Sequence, residues 1–307
     1  MMKTSQILIE FDCKYKVFSF VCSKKIFRSR MNPKKTPSLL NLLNLSFFCF
    51  LWISFSQPSS AIIGGKPSNI TDEPWTAGLY VQNYFCGASL IDLNFILTAA
   101  QCVCGKSPQE ISIFYNTTTR NRGGDFRKGK HVYCDHYEAA TFKNNIALVE
   151  TESPMEFNNK TSRAIDLADK YFDPNVGSKV LVSGWGDVQL TREKENLTAA
   201  YFFVQDRYHC IKKYMKEGEK IDLKKDVFCA GGKGFGDASL ESGDAGDPGV
   251  YENKLIGVAT YPPWYKPELP GIFTNVGFYV SWIKSVIQKK KMKPGIFGML
   301  CFANFKN

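Results

Sequence analysis

The feature that most constrains the fold of this 307-residue chain is a series of short apolar segments that begins after Ala61. The segments are separated by glycine, proline, asparagine and aspartate, which favour turns. Short strands at this spacing are typical of an all-β barrel or sandwich. The predicted strands lie at 75–81, 88–97, 180–182, 255–260 and 271–276.

The end of this region has a different period. Val280, Ile283, Val286 and Ile287 recur at helical spacing, which predicts an amphipathic helix over 279–290. The sequence therefore predicts an all-β domain that closes with one C-terminal helix.

The segment 31–61 has the layout of a signal peptide. Two lysines follow Met31, an apolar stretch runs over 39–55, and Ser59 and Ala61 are small residues before the expected cleavage site. The alternative is a signal anchor that stays in the membrane. Residues 1–30 precede this leader and form a doubtful N-terminal extension, so either Met1 or Met31 is the start. We expect secretion and no membrane attachment after cleavage.

The net charge of +10 comes from the two ends of the chain. Residues 62–288 hold 25 Lys or Arg and 27 Asp or Glu, whereas 289–307 form a basic C-terminal tail with five lysines and no acid. A nucleic-acid-binding domain would carry its positive charge on the globular part. We therefore expect no nucleic-acid partner.

The chain has ten cysteines, and beyond residue 61 it has four sequons for N-glycosylation. Together with the leader they indicate an oxidising secretory route. The candidate acceptors are Asn69, Asn116, Asn159 and Asn196.

Seven segments of residues 62–288 resemble the trypsin and chymotrypsin-like serine proteases, in the order of that family. They are 62–65 (IIGG), 86–90 (CGASL), 97–102 (LTAAQC), 145–148 (NIAL), 182–186 (VSGWG), 243–248 (GDAGDP) and 271–276 (GIFTNV). The resemblance implies a chymotrypsin-like double antiparallel β-barrel with a C-terminal helix. Within the family the chain is similar to the mite group 3 allergens, and its defects resemble those of the scabies-mite inactivated protease paralogues.

The resemblance places three substitutions at the catalytic triad. Gln101 stands where the family has its histidine base, Asn145 where it has the orienting aspartate, and Ala245 where it has the nucleophilic serine. Acyl transfer by this machinery needs a hydroxyl nucleophile, an imidazole base and a carboxylate. An amide does not accept a proton near neutral pH, and alanine has no hydroxyl. We therefore expect no catalytic residue and no enzyme activity.

The resemblance also implies a degenerate substrate cleft. Ser239 takes the specificity position, Asp247 replaces a glycine after the nucleophile motif, and Pro262 replaces a glycine of the cleft wall. That glycine normally bonds a substrate backbone through its N–H, which proline lacks.

The family pattern implies the disulfides Cys86–Cys102 and Cys210–Cys229, and Cys104 and Cys134 are free to pair with each other or to remain apart. It also implies that Asp244 binds the ammonium group of a new N-terminus at Ile62. Cys102 and Cys104 alone make a weak metal site, so we expect no metal and no cofactor.

These observations predict a monomeric pseudoprotease that binds protein partners. The resemblance to the scabies-mite paralogues implies interference with host defence proteins, complement components among them. The alternatives are a regulatory homologue in an endogenous immune cascade, a residual weak hydrolase, and a gut protein with no specific partner.

Overall fold

The computed structural model describes residues 62–120, 122–186, 196–218, 223–232, 238–261 and 269–291, together with the backbone of one N-terminal hairpin. This hairpin pairs β1 (Ile7–Lys16) with β2 (Ser19–Arg28) in antiparallel register. It belongs to a separate compact unit, Met1–Pro58. The predicted leader over 31–61 lies outside the described residues.

The first barrel of the second unit is closed and has six strands. The short strand β3 (Lys66–Pro67) precedes it, and the barrel order is β4-β5-β6-β9-β8-β7. Nearly all residues of β4, β6, β7 and β9 are buried, so these strands are covered on both faces. The six strands are β4 (Thr76–Val81), β5 (Tyr84–Asp92), β6 (Phe95–Thr98), β7 (Ile111–Tyr115), β8 (Asp125–Cys134) and β9 (Ala147–Thr151).

The second sheet follows the order β13-β16-β15-β14-β11-β12-β3, and β10 pairs with β15. A bridge between Val204 and Ala230 brings the end of β12 back to β13, so the sheet curls into a second barrel. Its strands are β10 (Asp166–Leu167), β11 (Lys179–Gly184), β12 (Thr198–Phe203), β13 (Val227–Ala230), β14 (Pro248–Tyr251), β15 (Lys254–Tyr261) and β16 (Gly271–Asn275). The predicted double antiparallel β-barrel is confirmed.

The structure divides one predicted strand into two. The apolar run 88–97 spans the end of β5 and the start of β6, with a turn at Leu93 and Asn94 between them. The Asn94 amide donates a hydrogen bond to the Asp92 carboxylate at 3.0 Å, which stabilises the turn. The alternation of apolar residues continues through this turn, and the sequence pattern therefore concealed it.

In the described part of the second unit, three α-helices and one short 3-10 helix (Pro108–Glu110) accompany the barrels. The α-helices are α1 (Ala100–Val103), α2 (Arg207–Lys216) and α3 (Val276–Lys291). The Asp206 side chain caps α2 by accepting a hydrogen bond from the His209 amide at 3.0 Å. Helix α3 buries Val280 and Ile283 in the same apolar core as the first barrel, which is the face that its sequence period predicts.

Helix α3 is longer than the predicted helix at both ends. It begins at Val276, and it continues to Lys291, so the first three lysines of the predicted tail are helical. Lys290 lies 3.5 Å from the Glu150 carboxylate, and Lys291 lies 2.6 Å from that of Asp92. The end of α3 is thus held against the first barrel by charge as well as by apolar contact. No helix in the described ranges is long and apolar enough to span a membrane.

Candidate degenerate active site

Helix α1 places Gln101 beside Asn145, which lies just before β9. The Asn145 Nδ2 group donates a hydrogen bond to Gln101 Oε1 at 2.5 Å, and the Gln101 backbone amide donates to Asn145 Oδ1 at 2.9 Å. Asn145 is buried, and Gln101 is half-buried. The structure therefore brings together the two positions that the sequence assigns to the base and the orienting residue, and there they form a closed pair of neutral amides.

The loop 243–248 carries Ala245 to the same region. The Gly87 amide of β5 donates a hydrogen bond to the Ala245 carbonyl at 2.8 Å. The Ala245 carbonyl oxygen also lies 3.7 Å from Sγ of Cys102, next to Gln101 on α1. Gly246 adopts a φ of +96°, a conformation that glycine tolerates without strain, and it allows the backbone to turn tightly here. The third degenerate position thus lies beside Cys102, the residue that follows Gln101.

The described side chains at these three positions offer no group for proton transfer. Amides are neutral at all physiological pH values, and a methyl group is neither acid nor nucleophile. The three histidines of the chain are exposed elsewhere. His136 pairs with Asp135, His209 with Asp206, and His131 lies near the Tyr133 ring on β8.

The predicted specificity position, Ser239, is buried rather than open to solvent. Its backbone forms a two-hydrogen-bond bridge with Ile63, at 3.1 and 3.2 Å. The segment that follows the buried Ile62 is thereby attached to the second barrel close to loop 243–248. Pro262 lies outside the described residues, and its effect on the cleft wall stays a prediction.

Asp247, a degenerate cleft position by the family resemblance, is completely buried. Its side chain packs against Gly87 of β5 and Gly184 of β11, and it occupies the space that a Cβ at either glycine would need. Burial, followed by the negative charge of Asp244, raises the pKa of Asp247 well above its ordinary value.

Ile62 and Asp244, the two residues predicted to pair when a new N-terminus inserts, are both buried. Ile62 belongs to the apolar core of the second barrel. Asp244 has no exposed surface, and its Oδ2 accepts a hydrogen bond from the Glu241 amide at 2.7 Å. An ion pair between an Ile62 ammonium group and Asp244 stays a prediction, because it needs cleavage after Ala61.

A model of the family described as Trypsin matches residues 62–283, more than half of the chain. The chain belongs to the trypsin family. Among its relatives, Trypsin Blo t 3 of Blomia tropicalis is 33% identical over 230 residues, covering 73% of this chain and 85% of the relative. Trypsin Tyr p 3.0101 of Tyrophagus putrescentiae is 29% identical over 259 residues, covering 78% and 90%. The predicted likeness to mite trypsins is confirmed.

Two solved structures of this family are also similar. The scabies mite inactivated protease paralogue S-D1 has 40% identity and a TM-score of 0.71, covering 75% of this chain and 98% of that one. Paralogue S-I1 has 39% identity and a TM-score of 0.67, covering 74% and 99%. The trypsin family thus includes relatives named as trypsins and others named as inactivated, so membership alone does not decide activity.

Among the described residues of this trypsin homologue, three disulfides are formed. They are Cys86–Cys102, Cys104–Cys134 and Cys210–Cys229, with Cα–Cα distances of 6.4, 6.3 and 6.5 Å. The first connects β5 to α1 and so fixes Gln101 relative to Gly87. The second ties the end of α1 to β8, a pairing that the sequence left open.

The four candidate glycosylation sites differ in exposure. Asn69, Asn159 and Asn196 are exposed, whereas Asn116 is half-buried. The Asn116 amide donates a hydrogen bond to Asp125 at 2.7 Å and its oxygen accepts from Thr161 and Asn158. A glycan on Asn116 would have to break this network, so Asn116 is the poorest acceptor of the four.

In the ranges that the structure covers, no group of three or more His, Cys, Asp or Glu is arranged to hold a metal ion.

Proposed function

We propose that this member of the trypsin family is a secreted pseudoprotease that acts by binding proteins and not by cleaving them. The observation that carries the proposal is the Gln101–Asn145 amide pair beside Ala245. The Asn145 side chain is bonded on both sides by Gln101, through Gln101 Oε1 and the Gln101 backbone amide. Neither side-chain amide is able to accept a proton from a nucleophile near neutral pH.

The expected loss of activity is large. In serine proteases, removing any one triad member leaves only about 10³–10⁴-fold catalysis over water, from the oxyanion hole and binding. Here all three members are replaced, and the losses are not multiplied because the triad acts as a unit. The rival, a residual hydrolase, requires turnover of an activated ester by the purified protein.

Secretion would complete the fold without a separate activating protease. Ala61 precedes Ile62, where a trypsin-activated relative would need arginine or lysine. Signal peptidase prefers small residues such as Ser59 and Ala61. Cleavage after Ala61 would create a free ammonium group on Ile62, in the core of the second barrel that also buries Asp244.

The surface supports a protein partner. Most exposed apolar side chains of a soluble protein are scattered singly, but Tyr171 and Phe278 form an exposed aromatic pair with ring centroids 6.2 Å apart. Aromatic residues are enriched at protein interfaces. The likeness to scabies mite inactivated protease paralogues suggests host defence proteins as partners, complement components among them.

Two assays test the proposal. The secreted protein should show no turnover of a broad peptide library and no labelling by an organophosphate serine probe. A pull-down from host plasma with mass spectrometry should recover specific proteins, and Tyr171→Asn is the matched variant because Tyr171 has a φ of +64° that asparagine tolerates. Stable probe labelling would refute the loss of activity, and an empty pull-down would favour a protein with no specific partner.

A further inference from the structure

The Asp247 carboxyl group lies where the two barrels meet. Its Oδ1 packs against Gly87 of the first barrel and its Oδ2 against Gly184 of the second. We call these three residues the barrel seam. The backbone of the seam is held by hydrogen bonds from the Gly87 amide to the Ala245 carbonyl at 2.8 Å and from the Asp247 amide to the Asp244 carbonyl at 3.0 Å.

An ionised carboxylate is poorly accommodated at this place. Asp247 is fully buried, and neither of its carboxyl oxygens meets a hydrogen-bond donor within the described part of the chain. Its side chain interacts instead with the Asp244 carboxyl group, an interaction that needs a proton on one of the two acids. A buried charge without a donor or a cation is costly, and the usual result is that the group becomes neutral. The two glycines leave no space for a water molecule or an ion on the sides that they cover.

The groups that surround Asp247 also favour a proton. The first barrel presents Gly87 and the second presents Gly184, and neither has a charged side chain. Its own loop presents the Asp244 carboxylate, which repels a second negative charge and is able to accept a hydrogen bond from a neutral Asp247. In the secreted protein, the proposed Ile62 ammonium group would offset part of the Asp244 charge, and burial is then the main cause of the raised pKa of Asp247. Thr76 and Ser183, which also connect the two barrels, are bonded to each other at 2.7 Å.

We propose that Asp247 is a proton-dependent latch: its neutral carboxyl group holds the barrel seam closed, and its ionisation loosens the contact between the two barrels. The latch would also act on the degenerate active site, because Asp247 shares its loop with Ala245. In that loop the Ala259 amide donates to the Asp247 carbonyl at 3.0 Å, and the Gly246 amide donates to the Ala259 carbonyl at 2.7 Å. This inference does not depend on the proposed protein-binding function.

The direction of the pH dependence follows from the raised pKa of Asp247. The folded protein binds this proton more tightly than the unfolded chain, whose aspartates titrate near about 3.9. The contribution of Asp247 to the free energy of unfolding is therefore fully present below about pH 4. This contribution is lost as the pH rises through the pKa of Asp247 in the folded protein. For one proton, the folding equilibrium constant falls by up to about tenfold per pH unit.

Urea unfolding of the secreted protein between pH 5 and pH 8 tests the latch. We expect the wild type to lose stability with rising pH, and Asp247→Asn to remove a slope equivalent to one proton, because asparagine keeps the shape and stays neutral. Asp169→Asn removes an exposed carboxylate and should leave the wild-type slope unchanged. Equal slopes in the wild type and in Asp247→Asn would overturn the proposal.

Two measurements on the wild type apply even if Asp247→Asn does not fold. Carbon NMR of labelled aspartate side chains, with Asp247 assigned through its neighbours, should show that this carboxyl group stays protonated at pH 5, where ordinary aspartates are ionised. The hydrogen-exchange rate of the Gly87 amide should rise with pH more steeply than the intrinsic exchange rate, because the hydrogen bond from this amide to the Ala245 carbonyl connects the first barrel to the loop of Asp247. A carboxylate signal for Asp247 at pH 5 would refute the latch.

Discussion

The Gln101–Asn145 pair and the barrel seam show two different ways of replacing residues in the same region. At the pair, both side chains are neutral, and Asn145 is bonded by the side chain and by the backbone amide of Gln101. At the seam, Asp247 is an acid whose carboxyl group meets no hydrogen-bond donor among the described residues. The comparison shows that two neutral side chains fill their site without an unpaired charge, whereas a buried acid at position 247 carries a cost that protonation reduces.

The largest expected effect is on proteolytic activity, measured first with the triad positions restored and then with Asp247 replaced as well. The triple variant Gln101→His, Asn145→Asp and Ala245→Ser restores all three triad groups in sequence. We expect it to remain at least ~10²-fold below an active mite trypsin in kcat/KM, because small displacements of reacting groups have losses of this size. Adding Asp247→Gly should raise the activity of the triple variant. Efficient cleavage by the triple variant alone would show that the cleft is intact.

A large stability effect is expected at Asp244. If Ile62 begins the mature chain, Asp244→Ala removes one partner of a buried ion pair, which typically costs ~3–5 kcal/mol. For a domain of this size the melting temperature should fall on the order of 10 °C. N-terminal sequencing of the secreted protein gives the start site.

A one-residue extension before Ile62 is the companion to Asp244→Ala. It moves the ammonium group away but leaves the Asp244 carboxylate in place, so it should lower the melting temperature by a similar amount. A start at any residue other than Ile62, or no effect of the extension, would show that other groups satisfy Asp244.

The Gln101–Asn145 pair should contribute less to stability than Asp244 does. Gln101→Ala removes the acceptor of the Asn145 Nδ2 hydrogen bond while the backbone bond to Asn145 Oδ1 remains. A buried donor without a partner costs about 1–3 kcal/mol, and we expect the lower end because Gln101 is half-buried. Gln101→Glu keeps an acceptor and is the control. Equal stability of wild type and Gln101→Ala in urea would mean that solvent replaces the lost bond.

The smallest effect concerns Glu150, which contrasts with Asp247. Burial alone would raise its pKa, but hydrogen bonds from Tyr133 and Lys130 and the charge of Lys290 hold the pKa of Glu150 below its ordinary value. Its contribution is therefore present above about pH 4.3 and is lost as the pH falls through the folded pKa. Glu150→Gln should lower the free energy of unfolding at pH 7 by less than ~1 kcal/mol, and the loss should be smaller in high salt. A loss that persists in 1 M salt would contradict this electrostatic origin.

The sequence alone determined the family and the order of its motifs, and it predicted which catalytic groups are missing. Ala245 cannot be a nucleophile in any fold, because a methyl group has no hydroxyl, and the helical period of Val280 and Ile283 identifies the buried face of α3 wherever it packs. These conclusions rest on properties of single residues or of local repeats, which do not depend on the rest of the chain.

The tertiary structure decided what depends on residues distant in sequence. Asp247 is separated from Gly87 by 160 positions, and only the meeting of β5 with β11 shows that its carboxyl group is enclosed. The Cys104–Cys134 bond and the Gln101–Asn145 pair likewise require strands brought together by barrel closure. Burial and charge compensation are properties of that packing, and the same aspartate in a sequence motif is compatible with an open cleft or with a closed seam.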